Sequence, residues 1–189
     1  MTGFSILFLI VLASGLFIDY CLIWRQAGYV ASHRKQVPAA FVAKISLAEH
    51  QKAADYTLAK LSVEKVSLWV SAALLLIWTL GGGLDALDRL WQTTHWPLLW
   101  QGVGLIISLL LISSLLDLPI RLLITFCIEA RYGFIRTTVK RFVTDLLLQL
   151  GLMLLFGLPL GTLVLWLMEK SGSYWWFWVW LVWISVILF

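Results

Sequence analysis

Three histidines, two cysteines and ten carboxylates are the residues from which this chain of 189 would build metal or acid–base chemistry. A helical zinc hydrolase site needs two histidines one turn apart, with a glutamate beside the first or the second. The histidines are His33, His50 and His95, and no His-Glu-x-x-His occurs. The reversed form, His-x-x-Glu-His, fails at Ser46 ahead of Glu49-His50. His33 and His50 flank Pro38, while His95 falls on what charge counting makes the other side of a membrane. Histidines split in that way do not assemble a zinc centre. Gly81-Gly82-Gly83 is followed by Leu-Asp-Ala-Leu and lacks the Lys-Ser/Thr of a phosphate-binding loop. Cys21 and Cys127 lie far apart at apolar positions and read as two buried free thiols rather than a disulfide. The expectation is a chain with no catalytic residue and no metal ligand of its own.

A few charges sit where charge is costly. Asp19 falls inside an apolar stretch, about a turn and a half before Arg25. It reads equally as a carboxylate hydrated near the interface or as one turned toward a polar interior. Asp117, beside Leu118-Pro119, reads as an interfacial turn residue. Ile128-Glu129-Ala130-Arg131-Tyr132-Gly133-Phe134 mixes charge, rings and a glycine. Its default is a solvated loop with a local ion pair; the alternative is a folded element lining a cavity.

The elements that carry these residues are membrane helices. Sixty-one per cent of the residues are hydrophobic, 13% are charged and the mean hydropathy is +0.93, which excludes an ordinary soluble domain. A cleaved signal peptide does not fit, because 3–24 has no basic leader and is too long for a signal core. Five spans are expected: about 4–24, 66–80, 97–118, 146–168 and one starting near Tyr174. The second closes on Gly81-Gly82-Gly83, and the third opens at Trp96-Pro97 and ends at Leu118-Pro119. Polar connectors 84–95 and 169–173 join two pairs of spans. The last apolar stretch, Tyr174 to Phe189, is about a turn short of the roughly 20 residues a bilayer needs, so the expectation is the front part of a longer protein. Trp175, Trp176, Trp178, Trp180 and Trp183 read as an interfacial aromatic belt, and Gly157-x-x-x-Gly161 as helix-packing surface with Pro159 as a kink.

Charge sets the direction. Segment 25–65 carries Arg25, Arg34, Lys35, Lys44, Lys52, Lys60 and Lys65, and segment 119–145 carries Arg121, Arg131, Arg136, Lys140 and Arg141. The alternate connections hold only Arg89 and Lys170. Both basic segments are therefore expected in the cytoplasm, with the N-terminus outside. Ser46-Leu47-Ala48-Glu49 has the form of a capping box, and no Pro or Gly follows before Leu80. A helix over 47–80 would be about 50 Å long, with several turns standing in the cytoplasm. Two helices bent near Ser62 are the alternative. Lys52 and Asp55, and Lys60 and Glu64, have the spacing of ion pairs on a solvated face.

Several stretches together resemble the N-terminal membrane region of the CAAX prenyl protease family, integral-membrane zinc metalloendopeptidases. They are Arg25-Gln26 through His33-Arg34-Lys35-Gln36-Val37-Pro38 to Phe41; Ile45-Ser46-Leu47 with His50 to Thr57 and Lys60; Trp78-Thr79-Leu80-Gly81-Gly82-Gly83; Leu115-Leu116-Asp117-Leu118-Pro119; and Thr125-Phe126 through Arg131-Tyr132-Gly133-Phe134 to Thr137-Thr138. They follow the family's order along nearly the whole chain. Ile135 stands where the family usually has Asn.

The resemblance implies an all-α, polytopic bundle: five transmembrane helices here, in a seven-helix parent enclosing a water-filled chamber. Zinc would be held in the parent by a His-Glu-x-x-His helix and a later Glu, and the motif Glu would activate water. This chain would bind no zinc and be inactive alone, residues 1–189 being the N-terminal membrane domain. Asp19, Asp55, Glu129 and Arg131 are the candidates for lining the chamber or touching substrate. The implied partners are the lipid bilayer, the C-terminal catalytic region of the same protein and a peptide or protein substrate, with no nucleic acid. The implied location is an inner or plasma membrane, or the endoplasmic reticulum membrane of a eukaryote. The alternative is a non-catalytic membrane scaffold or partner subunit. A transporter is less well supported, for no inverted repeat is visible.

Overall fold

The structure is a computed structural model that describes residues 3–135 and 137–188. Arg136 and Phe189, which enter the charge count and the last apolar stretch, lie outside the described residues. Every regular element among the described residues is helical: α1 Gly3–His33, α2 Leu47–Thr79, α3 Gly83–Gln92, α4 Leu98–Leu122, α5 Val139–Leu152, α6 Leu158–Lys170 and α7 Trp175–Leu188. Four stretches of the described residues are long and apolar enough to cross a membrane: Gly3–His33, Leu47–Thr79, Leu98–Glu129 and Val139–Lys170. Gly172–Leu188 is a shorter apolar helix. Among the described residues only seven apolar side chains are buried (Ile23, Ala54, Leu61, Ala72, Leu87, Val103 and Ile128), while Phe4, Leu98 and Leu188 are more than three-quarters exposed. A helix apolar all round with so small an interior suits lipid, where the backbone is satisfied within each helix and side chains face hydrocarbon.

The chain divides into two compact units. One comprises residues 1–81 and 117–136. Within it α1 and α2 form an antiparallel hairpin, for His50 meets His33 while Trp69 meets Tyr20. The capping box is complete: Glu49 N–H donates to Ser46 Oγ at 3.2 Å, and Ser46 N–H donates to Glu49 Oε2 at 2.9 Å. From that start α2 runs unbroken through Ser62 to Thr79, so the long single helix holds and the bent alternative does not. Two glycines end it for different reasons. A Cβ on Gly81 would stand 2.8 Å from the carbonyl oxygen of Ile77, and Gly82 takes φ +77°, where a side chain is strained.

Leu118-Pro119 does not end the third span. α4 continues through Pro119 to Leu122 and then widens into π-helical turns over Leu123–Glu129. Within a membrane helix the carbonyls that proline leaves unpaired are accommodated by such local adjustments. Asp117 is thus a half-buried residue inside a helix rather than a turn residue. Cys21 and Cys127 are free, as read, but both are exposed rather than buried, since they face outward from helices with little interior of their own.

The other unit comprises residues 82–116 and 137–189. The stretch expected to be a polar connector contains α3, whose Leu87 is buried. Trp91 fixes α3 to α4: its Nε1 donates to Ser108 Oγ at 3.1 Å, and a Cβ on Gly104 would lie 2.6 Å from its ring. The fourth span, α5 to α6, leaves α geometry at Met153–Gly157, the turn containing the Leu155 carbonyl that Pro159 cannot serve. A Cβ on Gly161 would meet nothing within 4 Å and one on Gly157 only the Met153 side chain of its own helix at 3.8 Å, so no other helix packs closely on these glycines among the described residues.

Candidate functional site

A polar groove runs along the α1–α2 hairpin. Asp19, Leu22, Ile23 and Gln26 line it from α1, and Glu64, Ser67, Leu68 and Ser71 from α2, around a cavity of about 460 Å³. On α1 the lining positions recur at i, i+3, i+4 and i+7, and on α2 at i, i+3, i+4 and i+7, which puts each set on one helical face. Two carboxylates, an amide and two hydroxyls thus share one surface of the α1–α2 hairpin. Such a surface suits water or a polar chain and would be costly against hydrocarbon. Asp19 was visible in the sequence as an acid out of place. Gln26 shares a face of α1 with Asp19 at i,i+7, a usable signal in the sequence, whereas Glu64 reads there as an ion-pair partner of Lys60, and Ser67 and Ser71 join the face only through the hairpin register.

Asp55 sits elsewhere in the same unit. Arg34, just past the end of α1, grips it with Nε to Oδ1 at 2.7 Å and Nη2 to Oδ2 at 2.8 Å. The pair is about one-third exposed. Asp55 holds the Arg34 guanidinium above its ordinary pKa, first by hydrogen bonding and then by charge. The i,i+3 pairing of Lys52 with Asp55 does not form, because both carboxylate oxygens face Arg34. Beside it, His50 Nε2 lies 2.9 Å from the His33 carbonyl, and Tyr29 packs on the His33 ring at 4.1 Å. Both histidines border a cleft of about 290 Å³ with Pro38, Ala53 and Thr57. Among the described residues, no three His, Cys, Asp or Glu side chains gather as a metal site would require.

Glu129 and Arg131 are brought to neither place. Glu129 ends the π-helical turns, and its carbonyl accepts the Phe134 N–H at 2.8 Å. Among the described residues the local ion pair between Glu129 and Arg131 is not formed, and Arg131 is exposed. The segment is folded all the same. Gly133 takes φ +70°, and the reversed chain lays Tyr132 and Phe134 on Tyr56 at 5.9 and 4.8 Å. Lys52 stands over the Phe134 ring at 5.4 Å, and Lys60 over the Tyr56 ring at 5.6 Å.

Comparison with known proteins gives a consistent set of likenesses. The sequence profile described as CAAX prenyl protease N-terminal, five membrane helices, matches residues 26–189. The "Probable CAAX prenyl protease 1" of Schizosaccharomyces pombe is 31% identical over 152 residues, covering 71% of this chain and 31% of that protein. A "CAAX prenyl protease 1 homolog" of Dictyostelium discoideum is 30% identical over 77 residues, covering 41% of this chain and 18% of that protein. The chain therefore spans less than a third of either relative. The crystal structure of S. mikatae Ste24p superposes with a TM-score of 0.83 at 20% identity, over 100% of this chain and 44% of that one. At that identity the likeness establishes the fold: an all-α membrane bundle.

Proposed function

Since this chain belongs to the CAAX prenyl protease N-terminal family, we propose that residues 1–189 form the membrane domain of a zinc metalloendopeptidase and wall part of its intramembrane chamber. The profile match over residues 26–189 is the observation that carries this reading. The family is one of zinc metalloproteases, but the described residues of this chain do not fit a zinc centre, because no three donors gather. In this reading the zinc ligands and the general base are supplied by a C-terminal catalytic region of the same protein. What this chain supplies is position and environment. The groove of Asp19, Glu64, Gln26, Ser67 and Ser71 offers hydrogen-bonding groups to water or to a peptide backbone inside the membrane. Arg34 and Asp55 hold the hairpin that presents the groove. Glu129 and Arg131 border the folded turn at the end of the third span, where a substrate would pass from the basic side. Both basic segments lie in the cytoplasm and the N-terminus outside, in a plasma, inner or endoplasmic reticulum membrane.

The test is to purify the full protein and the 1–189 segment, measure bound zinc in each, and assay cleavage of a peptide substrate. The full protein should carry zinc and cleave, while the segment does neither. Tight stoichiometric zinc on the segment would refute the assignment.

A further inference from the structure

The acids within four residues of Lys52 or Lys60 on α2 are all committed elsewhere. Glu49 Oε2 accepts hydrogen bonds from Ser46 N–H and Oγ in the capping box. Asp55 gives both oxygens to Arg34. Glu64 turns into the groove with Asp19. No ion pair neutralises either lysine among the described residues. The two ammonium groups are instead held by rings. Lys52 stands 5.4 Å over Phe134 and Lys60 5.6 Å over Tyr56, and the two rings pack together at 4.8 Å. The αL turn at Gly133 keeps the Phe134 strand of the turn against α2, and a Cβ there would lie 3.4 Å from Lys52 Nζ. Both lysines are exposed.

Their height along α2 matters. Lys60 lies about 29 Å from Thr79 at 1.5 Å per residue, close to the thickness of the hydrocarbon core. With Thr79 at the outer edge, Lys60 sits at the inner one. Lys52 stands about 12 Å further along the axis, a few ångström beyond a headgroup layer roughly 5–8 Å deep and within about one Debye length of its charge.

We propose that Lys52 and Lys60, held by Phe134 and Tyr56, form a binding site for the phosphate headgroups of anionic phospholipid in the cytoplasmic leaflet. The proposal rests on the orientation given above. Cation–π contacts leave the ammonium N–H groups free to donate outward, and a phosphodiester supplies the charge that the protein withholds. The attachment would hold the cytoplasmic part of α2, and the turn packed on it, at a fixed depth.

The experiment is native mass spectrometry of the detergent-purified full protein titrated with phosphatidylglycerol or phosphatidylcholine. Lys52→Gln/Lys60→Gln should bind phosphatidylglycerol about tenfold more weakly or worse, with phosphatidylcholine unaffected. Lys52→Arg/Lys60→Arg should retain binding. Phe134→Leu, which leaves the charge unchanged, should weaken it about threefold. Lys35→Gln/Lys44→Gln removes the same charge outside the cluster and should change it little. Equal retention of the two lipids, no loss in Lys52→Gln/Lys60→Gln, or an equal loss in Lys35→Gln/Lys44→Gln would overturn the site. Impermeant labelling of Ala40→Cys in intact cells reports the orientation separately, so a wrong side and an absent site give different results.

Discussion

Arg34 and Asp55 make a two-pronged pair, Nε to Oδ1 at 2.7 Å and Nη2 to Oδ2 at 2.8 Å, between the end of α1 and the N-terminal part of α2. The planar fork of the guanidinium matches the carboxylate in both distance and direction, so the contact fixes register as well as proximity. With the His50–His33 hydrogen bond beside it, the pair closes the turn over 34–46.

Removing it should loosen that turn. Arg34→Gln or Asp55→Asn is expected to speed amide hydrogen exchange across residues 33–50 of the protein in detergent, leaving the middle of α2 unaffected. The swap Arg34→Asp with Asp55→Arg should recover part of the protection. Lysine at 34 should recover less, since it cannot form the fork. Exchange in all four variants equal to that of the unaltered protein would mean the pair is incidental.

Gly104 exists to admit Trp91. A methyl group there would stand 2.6 Å from the indole, so Gly104→Ala must displace the ring and its hydrogen bond to Ser108. Overpacking of this kind costs about 1–3 kcal/mol. A lowered thermal unfolding midpoint is expected, and Trp91→Leu combined with Gly104→Ala should lose less than the sum of the two. Strict additivity would show that the residues do not touch.

Gly82 precedes α3 at φ +77° with open space around it. Gly82→Val should destabilise by about 1–2 kcal/mol, from backbone strain alone, and Gly82→Asn by less. Gly15→Ala, at an open position inside α1, should be neutral or stabilising by about 0.5–1 kcal/mol. Thermal melts of the three variants side by side make the comparison.

In the full protein, Asp19→Asn and Glu64→Gln should lower kcat/KM for a peptide while bound zinc is unchanged, as expected of groups that line the path and do not hold metal. Loss of zinc with either change would place the groove in the metal centre and contradict this account.

Much of this was legible in the sequence, and the failures have physical causes. The capping box at Ser46 and the uninterrupted run to Leu80 gave α2 nearly to the residue, because local chemistry alone starts and sustains a helix. Pro119 misled, because a breaker in water is tolerated in a membrane helix that widens into π turns just after it. The helix α3 was hidden by its polarity, yet Leu84, Leu87 and Trp91 at i, i+3 and i+7 mark an apolar stripe. Charge pairs were the least legible. Spacing proposed Lys52 with Asp55 and Lys60 with Glu64, and tertiary contacts took Asp55 to Arg34 and Glu64 to the groove. Asp19 was recognised as unusual, but its neighbours on α2 could be assigned only once the hairpin register was known.

The most direct test is cysteine accessibility in intact cells, with Cys21 and Cys127 first replaced by serine. An impermeant maleimide should leave Ala40→Cys and Ala130→Cys unlabelled until the membrane is opened, and should label Thr94→Cys at once. Labelling of 40 and 130 from opposite sides would contradict an embedded bundle whose two cationic segments share one face of the bilayer.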